Sequence, residues 1–273
     1  MTGPAAVNVH PTAVVSPEAD LGASVAVGPY AVIEAGAVVG ASTTIDAHVV
    51  VKASATIGED CRLHVGAVIG DDPQDVSFDL GAPTRVEIGD RTVLREYVTV
   101  HRSTAPERPT RIGSDCLLMG SSHVAHDCLV GDHVVLCNAA LVAGHVEVGP
   151  RAFISGNAVV HQFCRVGAVV MLSGLSGISR DVGPYLTVSG RSDVSGLNVI
   201  GMRRAGLSGA TRARVKEAYR RLFASTLLAD GLVGVRELGL EHDEIREIAA
   251  FYAASQRGYS RPPQGHPLGT AER

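Results

Sequence analysis

The chain has 273 residues, of which 45% are hydrophobic but only 4% aromatic, with no tryptophan, and its formal net charge is −4. That length suits one large domain or one domain with a small appendage, and the acidic balance argues against a general nucleic-acid binder. No stretch approaches the roughly 20 apolar residues of a transmembrane helix and no basic segment leads into an apolar run at the N-terminus, so neither a membrane span nor a signal peptide is read and a cytoplasmic location is expected.

From Val9 the chain places Val, Ile or Leu at every sixth residue: Val15, Leu21, Val27, Ile33 and onward without a miss to Ile69. The register breaks at Asp71-Asp72-Pro73, returns at Ile88, Leu94 and Val100, breaks again over Ser103 to Arg111, and runs from Ile112 to Ile178. An α-helix would repeat near 3.6 and a strand near 2. A period of six with small residues between the aliphatics is the hexapeptide signature of a parallel β-helix, three short faces to a coil of 18 residues. Coils stack at the strand spacing of ~4.8 Å. The breaks, near 71–86 and 103–111, read as loops thrown out from the coil, where function tends to sit.

The clock stops at Pro184. Over Ala210 to Ser225, Val215, Tyr219, Leu222 and Phe223 share one helical face; a second helix follows His242-Asp243, with Asp243 as N-cap and Ile245, Ile248, Ala249 and Tyr252 inward. The expected plan is a β-helix over 1–190, an α-helical domain over 191–258 and a flexible Pro- and Gly-containing tail over 259–273. The five scattered cysteines form no Cys-x-x-Cys pair and read as reduced core thiols rather than metal ligands.

A single histidine is most often structural or solvated, but the clock adds positional information. Residues 18 apart stack on successive coils, so His126, Gly144 and Gln162 form one column, with His145 and His161 one place to either side and His123 on the first of these coils. Imidazole titrates near neutral pH and suits general-base work. A glycine in the column lets a substrate approach a backbone N–H.

At these residues the sequence resembles the acyl carrier protein-dependent UDP-N-acetylglucosamine O-acyltransferases, the family that opens lipid A synthesis. The likeness is carried by Pro83–Asp90, Val100-His101-Arg102, the run His123-Val124-Ala125-His126-Asp127-Cys128, Ala143-Gly144-His145-Val146, His161-Gln162-Phe163-Cys164 and Arg203-Arg204-Ala205-Gly206, and it covers the chain to about Gly258. The resemblance implies a left-handed coil, a homotrimer with clefts between subunits, and transfer of a (3R)-hydroxyacyl group to the 3-hydroxyl of UDP-N-acetylglucosamine. The donor is a 4′-phosphopantetheine thioester on acyl carrier protein; no bound cofactor or metal is implied. His126 matches the general base and Gly144 the oxyanion donor. His123, His145 and His161 match supporting ligands, Asp75 a sugar-binding residue, and Gln162, Asn198 and Arg204 substrate-side positions.

Gly174 matches the position that limits acyl-chain depth, which favours a long chain, with Ser192 near the groove's end. Asp127 follows the base directly; on a flat strand neighbours face opposite sides, so it assists only if a corner or another subunit intervenes. The sequence departs from the family at Ser77, Ile200 and Ala205, positions that touch the sugar nucleotide, which leaves a 3-amino sugar analogue open as acceptor. Two other readings are a β-helical zinc enzyme of the carbonic anhydrase type and an acetyl-CoA-dependent hexapeptide transferase; the helical tail and the paired arginines favour carrier protein. Residues 203–221 hold Arg203, Arg204, Arg212, Arg214, Lys216, Arg220 and Arg221 against one acid, Glu217, and such a stretch is expected to dock the acidic carrier.

Overall fold

In the computed structural model, which describes residues 6–263 and the backbone of 269–270, the six-residue clock forms a left-handed parallel β-helix. Short strands pair in parallel with the strand one coil away: Asn8 with Ala26, Val32 with Val50, Leu117 with Val135. Three sheets of 12, 9 and 8 strands result, each taking every third strand along most of its length. From Val27 to Ile178 every clock residue is at most 4% exposed. On the first coil Val9 is 40% exposed, because no described coil lies beneath it.

A second inward comb lies two residues before each clock residue and is mostly small. Ala31, Ala37, Cys61, Ala67, Cys116, Cys128, Ala158 and Cys164 are all buried there. Four of the five cysteines occupy this comb, and the thiols of Cys61, Cys116 and Cys128 donate to the carbonyls of Gly89, Gly131 and Ala143. Burial pushes the Cys128 thiol up to about 12 and that of Cys116 to about 11, so they act as small apolar fillers rather than nucleophiles.

Three residues after many clock positions the backbone turns through the left-handed region: Tyr30, Asp127, His145 and Phe163 have φ of 58°, 60°, 60° and 64°. That conformation costs an L-residue roughly 1–2 kcal/mol. Amide bonds between coils hold it here, among them His145 N–H to His126 O at 3.0 Å and Phe163 N–H to Gly144 O at 3.1 Å. At the two breaks in the clock the chain leaves the coil in an excursion. The first leaves after strand Val68–Asp71 and returns at Val86–Ile88; the second leaves after Thr99–His101 and returns at Thr110–Ile112.

The stack ends where Leu186–Ser189 pairs antiparallel with Asp193–Leu197. Helices α1 (Val199–Arg204), α2 (Gly209–Ala224), α3 (Leu228–Arg236) and α4 (Asp243–Ala253) follow. The sequence pattern showed α2 and α4; α1 and α3, of 6 and 9 residues, are too short to display a period. His242, not Asp243, stands at the N-cap of α4, and its side chain makes no capping bond. Val215, Tyr219 and Leu222 pack with Ile245, Ile248 and Tyr252 in the continuous core, and the Tyr219 hydroxyl donates to Pro184 O at 2.6 Å, tying the bundle to the end of the coil.

The segment expected to be a loose tail begins differently. Ser260 is 1% exposed and its N–H donates to Asp181 O at 2.7 Å, Arg261 bridges to Asp193, and Gly269–Thr270 pairs with Gly196–Leu197. The strand Asp193–Leu197 offers a sheet edge that composition alone does not reveal. Residues 264–268 and 271–273 of that expected tail lie outside the described residues.

Candidate active site

The corner that follows the strands of the nine-stranded sheet gathers the histidines and their column singled out from the sequence. His126, Gly144 and Gln162 stack there, two residues past clock positions Val124, Val142 and Val160. One place further on, Asp127, His145 and Phe163 form a second column, all in the left-handed conformation. The His145 ring stacks on Phe163 at 4.5 Å and stands edge-on to His126 at 5.1 Å.

This corner settles how adjacent residues come together. On a flat strand Asp127 would face away from His126; with Asp127 at φ 60°, His126 Nδ1 lies 2.7 Å from Asp127 Oδ2. A carboxylate can only accept, so the ring carries its proton on Nδ1 and Nε2 is a free acceptor. Asp127 is fixed in turn by the Thr104 N–H to Oδ1 at 3.0 Å, the Thr104 hydroxyl to Oδ2 at 2.8 Å, and its own N–H to Thr110 Oγ1 at 2.8 Å. Burial alone would raise the Asp127 carboxyl, but the hydrogen bonds from His126 and Thr104 outweigh it and hold the group below the ordinary carboxylate range.

Gly144 has a steric reason to be glycine. A Cβ there would lie 2.6 Å from His126 Cε1 and 2.8 Å from Nε2. Among the described residues no acceptor takes its N–H. His126, Gly144, His123, His161 and Gln162 line an open cleft of about 870 Å³, with Gln74 from the first excursion and Leu175 and Arg191 toward the far end.

His123 is only partly solvent-accessible; its Nδ1 lies 2.7 Å from Thr99 Oγ1 and its ring meets His101 edge-on at 4.8 Å. Burial pushes His123 down to about 4, with the neighbouring imidazoles adding to it. Burial also lowers His101 and, against a partial offset from Asp127, His145. His161 is exposed, with Nδ1 3.2 Å from Gln162 O. Asp75 is held below its usual range by the N–H and hydroxyl of Ser77, at 2.8 and 2.7 Å, and by the charges of His126 and His145 when these are protonated.

Other expected residues lie elsewhere. The Asn198 side chain caps α1 by accepting from Gly201 N–H at 2.9 Å and donates to Val169 O at 2.7 Å. Arg204 is exposed on α1, and neither residue lines this cleft within one chain. A Cβ on Gly174 would meet only Gly156 O, at 3.5 Å, so the turn leaves open space there. Ser192 is buried and its hydroxyl accepts from Ser179 N–H at 3.0 Å. In the basic stretch Arg214 pairs with buried Glu244 at 2.6 Å, and Arg220 and Arg221 with Glu217 at 2.6 and 2.8 Å. Arg203, Arg204, Arg212 and Lys216 have no carboxylate partner among the described residues.

His126, Asp127 and His145 each offer one donor atom, and these lie within 4.8 Å of one another, as a shared metal would require. The 2.7 Å between His126 Nδ1 and Asp127 Oδ2 is a hydrogen-bond separation, shorter than two ligands at ~2.0–2.2 Å from one tetrahedral zinc would stand apart. The pair has the geometry of an imidazole oriented by a carboxylate. Thr104, Thr110, Thr99, His101 and Phe163 complete it, and the spacing of the sequence did not single them out.

Comparison with known proteins bears on the chain as a whole. The family model described as UDP N-acetylglucosamine O-acyltransferase, domain 2, matches residues 181–260. A Myxococcus xanthus protein named acyl-(acyl-carrier-protein)–UDP-N-acetylglucosamine O-acyltransferase is 48% identical over 256 residues, 93% of this chain and 99% of its own. One of the same name from Anaeromyxobacter is 43% identical over 204 residues, 73% and 79% of the two chains. The solved UDP-N-acetylglucosamine acyltransferase of Francisella novicida superposes with a TM-score of 0.90 at 33% identity, covering 94% and 95%. The O-acyltransferase of Moraxella catarrhalis gives 0.86 at 38% identity, covering 93% and 99%.

Proposed function

From the premise that the chain belongs to the acyl carrier protein-dependent UDP-N-acetylglucosamine O-acyltransferase family, we propose that His126 is the general base of the acyl transfer that opens lipid A synthesis. The observation that carries this reading is the His126 Nδ1–Asp127 hydrogen bond, which leaves Nε2 free next to Gly144, whose N–H has no acceptor among the described residues. His126 Nε2 takes the proton of the sugar 3-hydroxyl as its oxygen attacks the thioester carbonyl of the (3R)-hydroxyacyl donor. The carbonyl oxygen gains negative charge against Gly144 N–H, a contribution of roughly 3 kcal/mol. Collapse breaks the C–S bond, and the imidazolium returns its proton to the departing phosphopantetheine thiolate. Asp127 stabilises the imidazolium and fixes the tautomer, as in other base–carboxylate pairs.

Asp75 and Gln162 bind the sugar side, with His123, His145 and His161 around it. Asn198 and Arg204, absent from the cleft of one chain, act across a subunit boundary in a homotrimer, where three-fold closure adds a second wall. Light scattering on active protein tests that assembly; a fully active monomer overturns it. No helix among the described residues is long and apolar enough to cross a membrane. The function is tested by mass spectrometry with a (3R)-hydroxyacyl carrier protein, offered UDP-N-acetylglucosamine and its 3-amino analogue side by side. O-acylation of the first supports the reading. Exclusive N-acylation of the second transfers it to the amino sugar, in keeping with Ser77, Ile200 and Ala205.

A further inference from the structure

Three consecutive residues, Arg102, Ser103 and Thr104, join the two excursions to each other and to the site. Arg102 reaches into the first excursion. Its Nε donates to Asp72 Oδ1 at 3.0 Å, Nη1 to Ala82 O at 2.9 Å and Nη2 to Leu80 O at 3.2 Å, and the guanidinium lies 4.9 Å from the Phe78 ring. Ser103 is fully buried; its N–H donates to Arg85 O at 3.1 Å and its hydroxyl accepts from Arg85 N–H at 3.4 Å. Thr104 gives two hydrogen bonds to the Asp127 carboxylate.

The first excursion has little else to hold it. Val76 and Leu80 are exposed, and among the described residues the hydrogen bonds formed within 72–84 are local turns, such as Phe78 N–H to Asp75 O. The bonds tying 72–84 to the coil come from Arg102, and only at Arg85, where the chain rejoins the coil, do Ser103 and Thr110 take over. Yet this excursion carries Asp75 and places Gln74 on the cleft wall. A planar fork with five donors can serve three oxygens and stack on a ring at once; a lysine ammonium cannot.

We propose that Arg102–Thr104 is a strap that positions both halves of the reaction, Arg102 holding the acceptor-binding excursion and Thr104 holding the orienting carboxylate. Both are positioning residues, and their substrates rest on the acyl-transfer reading. Arg102→Met should raise the KM for UDP-N-acetylglucosamine roughly tenfold with kcat little changed, and Arg102→Lys should not restore it. Thr104→Val should lower kcat roughly tenfold with both KM values kept, and Thr104→Ser should recover it. In the unliganded protein, the Asp127 carboxyl followed by carbon NMR should titrate at higher pH in Thr104→Val and unchanged in Arg102→Met. Limited proteolysis should cut 72–85 faster in Arg102→Met alone.

The strap is overturned if the two variants give the same pattern, or if neither moves its own readout. Failure of the wild type to acylate any nucleotide sugar would remove the acyl-transfer reading. The titration and the proteolysis would still decide the strap.

Discussion

The same corner of the β-helix appears early and late in the chain with opposite contents. Two residues past clock positions Val15, Ile33 and Val51 stand Pro17, Ala35 and Ala53; past Val124, Val142 and Val160 stand His126, Gly144 and Gln162. The inward residues hardly differ in kind, and Ile33, Val51, Val124 and Val142 are all at most 1% exposed. The scaffold is thus one repeated solution, and what differs between the two corners stands outside the inward combs. In a solenoid each coil needs only its neighbours, so corner residues can change without disturbing the stack.

The largest effect should come from emptying the late corner. His126→Ala is expected to lower turnover by ~10²-fold or more with the thermal transition kept, since a base contributes ~10²–10⁴-fold. Ala53→Ser, at the same corner three coils or more away, should leave both activity and melting unchanged. A folded, active His126→Ala enzyme would break the contrast.

Glycines sharpen it further. A Cβ on Gly144 would meet a side chain, at 2.6 Å from His126 Cε1, whereas one on Gly40 would meet backbone, at 2.5 Å from Gly58 C. Gly144→Ala should displace the imidazole and lower kcat by roughly 10–100-fold, because misplacement by about 1 Å can cost that much, with little loss of stability. Gly40→Ala should lower Tm while the folded fraction keeps its kcat. Parallel melting and kinetics on the two variants decide it; loss of kcat per folded molecule in Gly40→Ala would contradict the separation.

The sequence displayed what repeats. The clock, both excursions and the His126–Gly144–Gln162 column follow from spacing, because in a coil of fixed length spacing is geometry. What it hid depends on conformation or on distant partners. The left-handed corner brings Asp127 onto His126, and alternation along a strand argues the other way. Thr104 lies inside an excursion, where the clock carries no information. Arg214 looks like one more surface cation until α4 brings buried Glu244 to it from 30 residues away. The loosely composed C-terminal stretch finds a strand edge at Asp193–Leu197 that no local pattern announces.

The histidines of the late coils also give them a pH response of their own. Burial holds His101, His123 and His145 below the ordinary histidine value, with His123 at about 4. A folded value below the unfolded one means that the unfolded chain binds protons first as pH falls. The stability these groups contribute is therefore intact above about pH 6.5 and is lost progressively toward pH 4. Asp127, also lowered, adds its loss only near and below its unfolded value of about 4, so at this corner the upper window belongs to the imidazoles, while half-buried Glu247 in α4, raised by burial, works against them there. Tm should fall by about 5 °C between pH 6.5 and 4.5, and less in His123→Gln. Equal slopes in the two proteins would show that His123 is more solvated than its packing implies.

The smallest effect is expected where the comparison passes from the coil to the helices. Of the seven basic residues between 203 and 221, Arg214, Arg220 and Arg221 spend their charge on Glu244 and Glu217; with Arg204 assigned to the substrate side, Arg203, Arg212 and Lys216 are the ones we propose meet an acidic carrier. Reversing Arg214 would leave buried Glu244 facing a like charge and would test folding rather than docking. The informative variant is Arg212→Glu with Lys216→Glu. Exposed charges contribute little to a final complex and more to the rate of encounter. The KM for the acyl carrier protein should therefore rise only about threefold to fivefold, with kcat at saturating donor and the KM for the nucleotide sugar unchanged. The wild-type donor KM should climb with ionic strength as screening shortens the reach of the patch, and this climb should flatten in the double variant. If donor KM and its salt dependence are the same in both proteins, these side chains form a solvated helix face and the carrier docks on another surface.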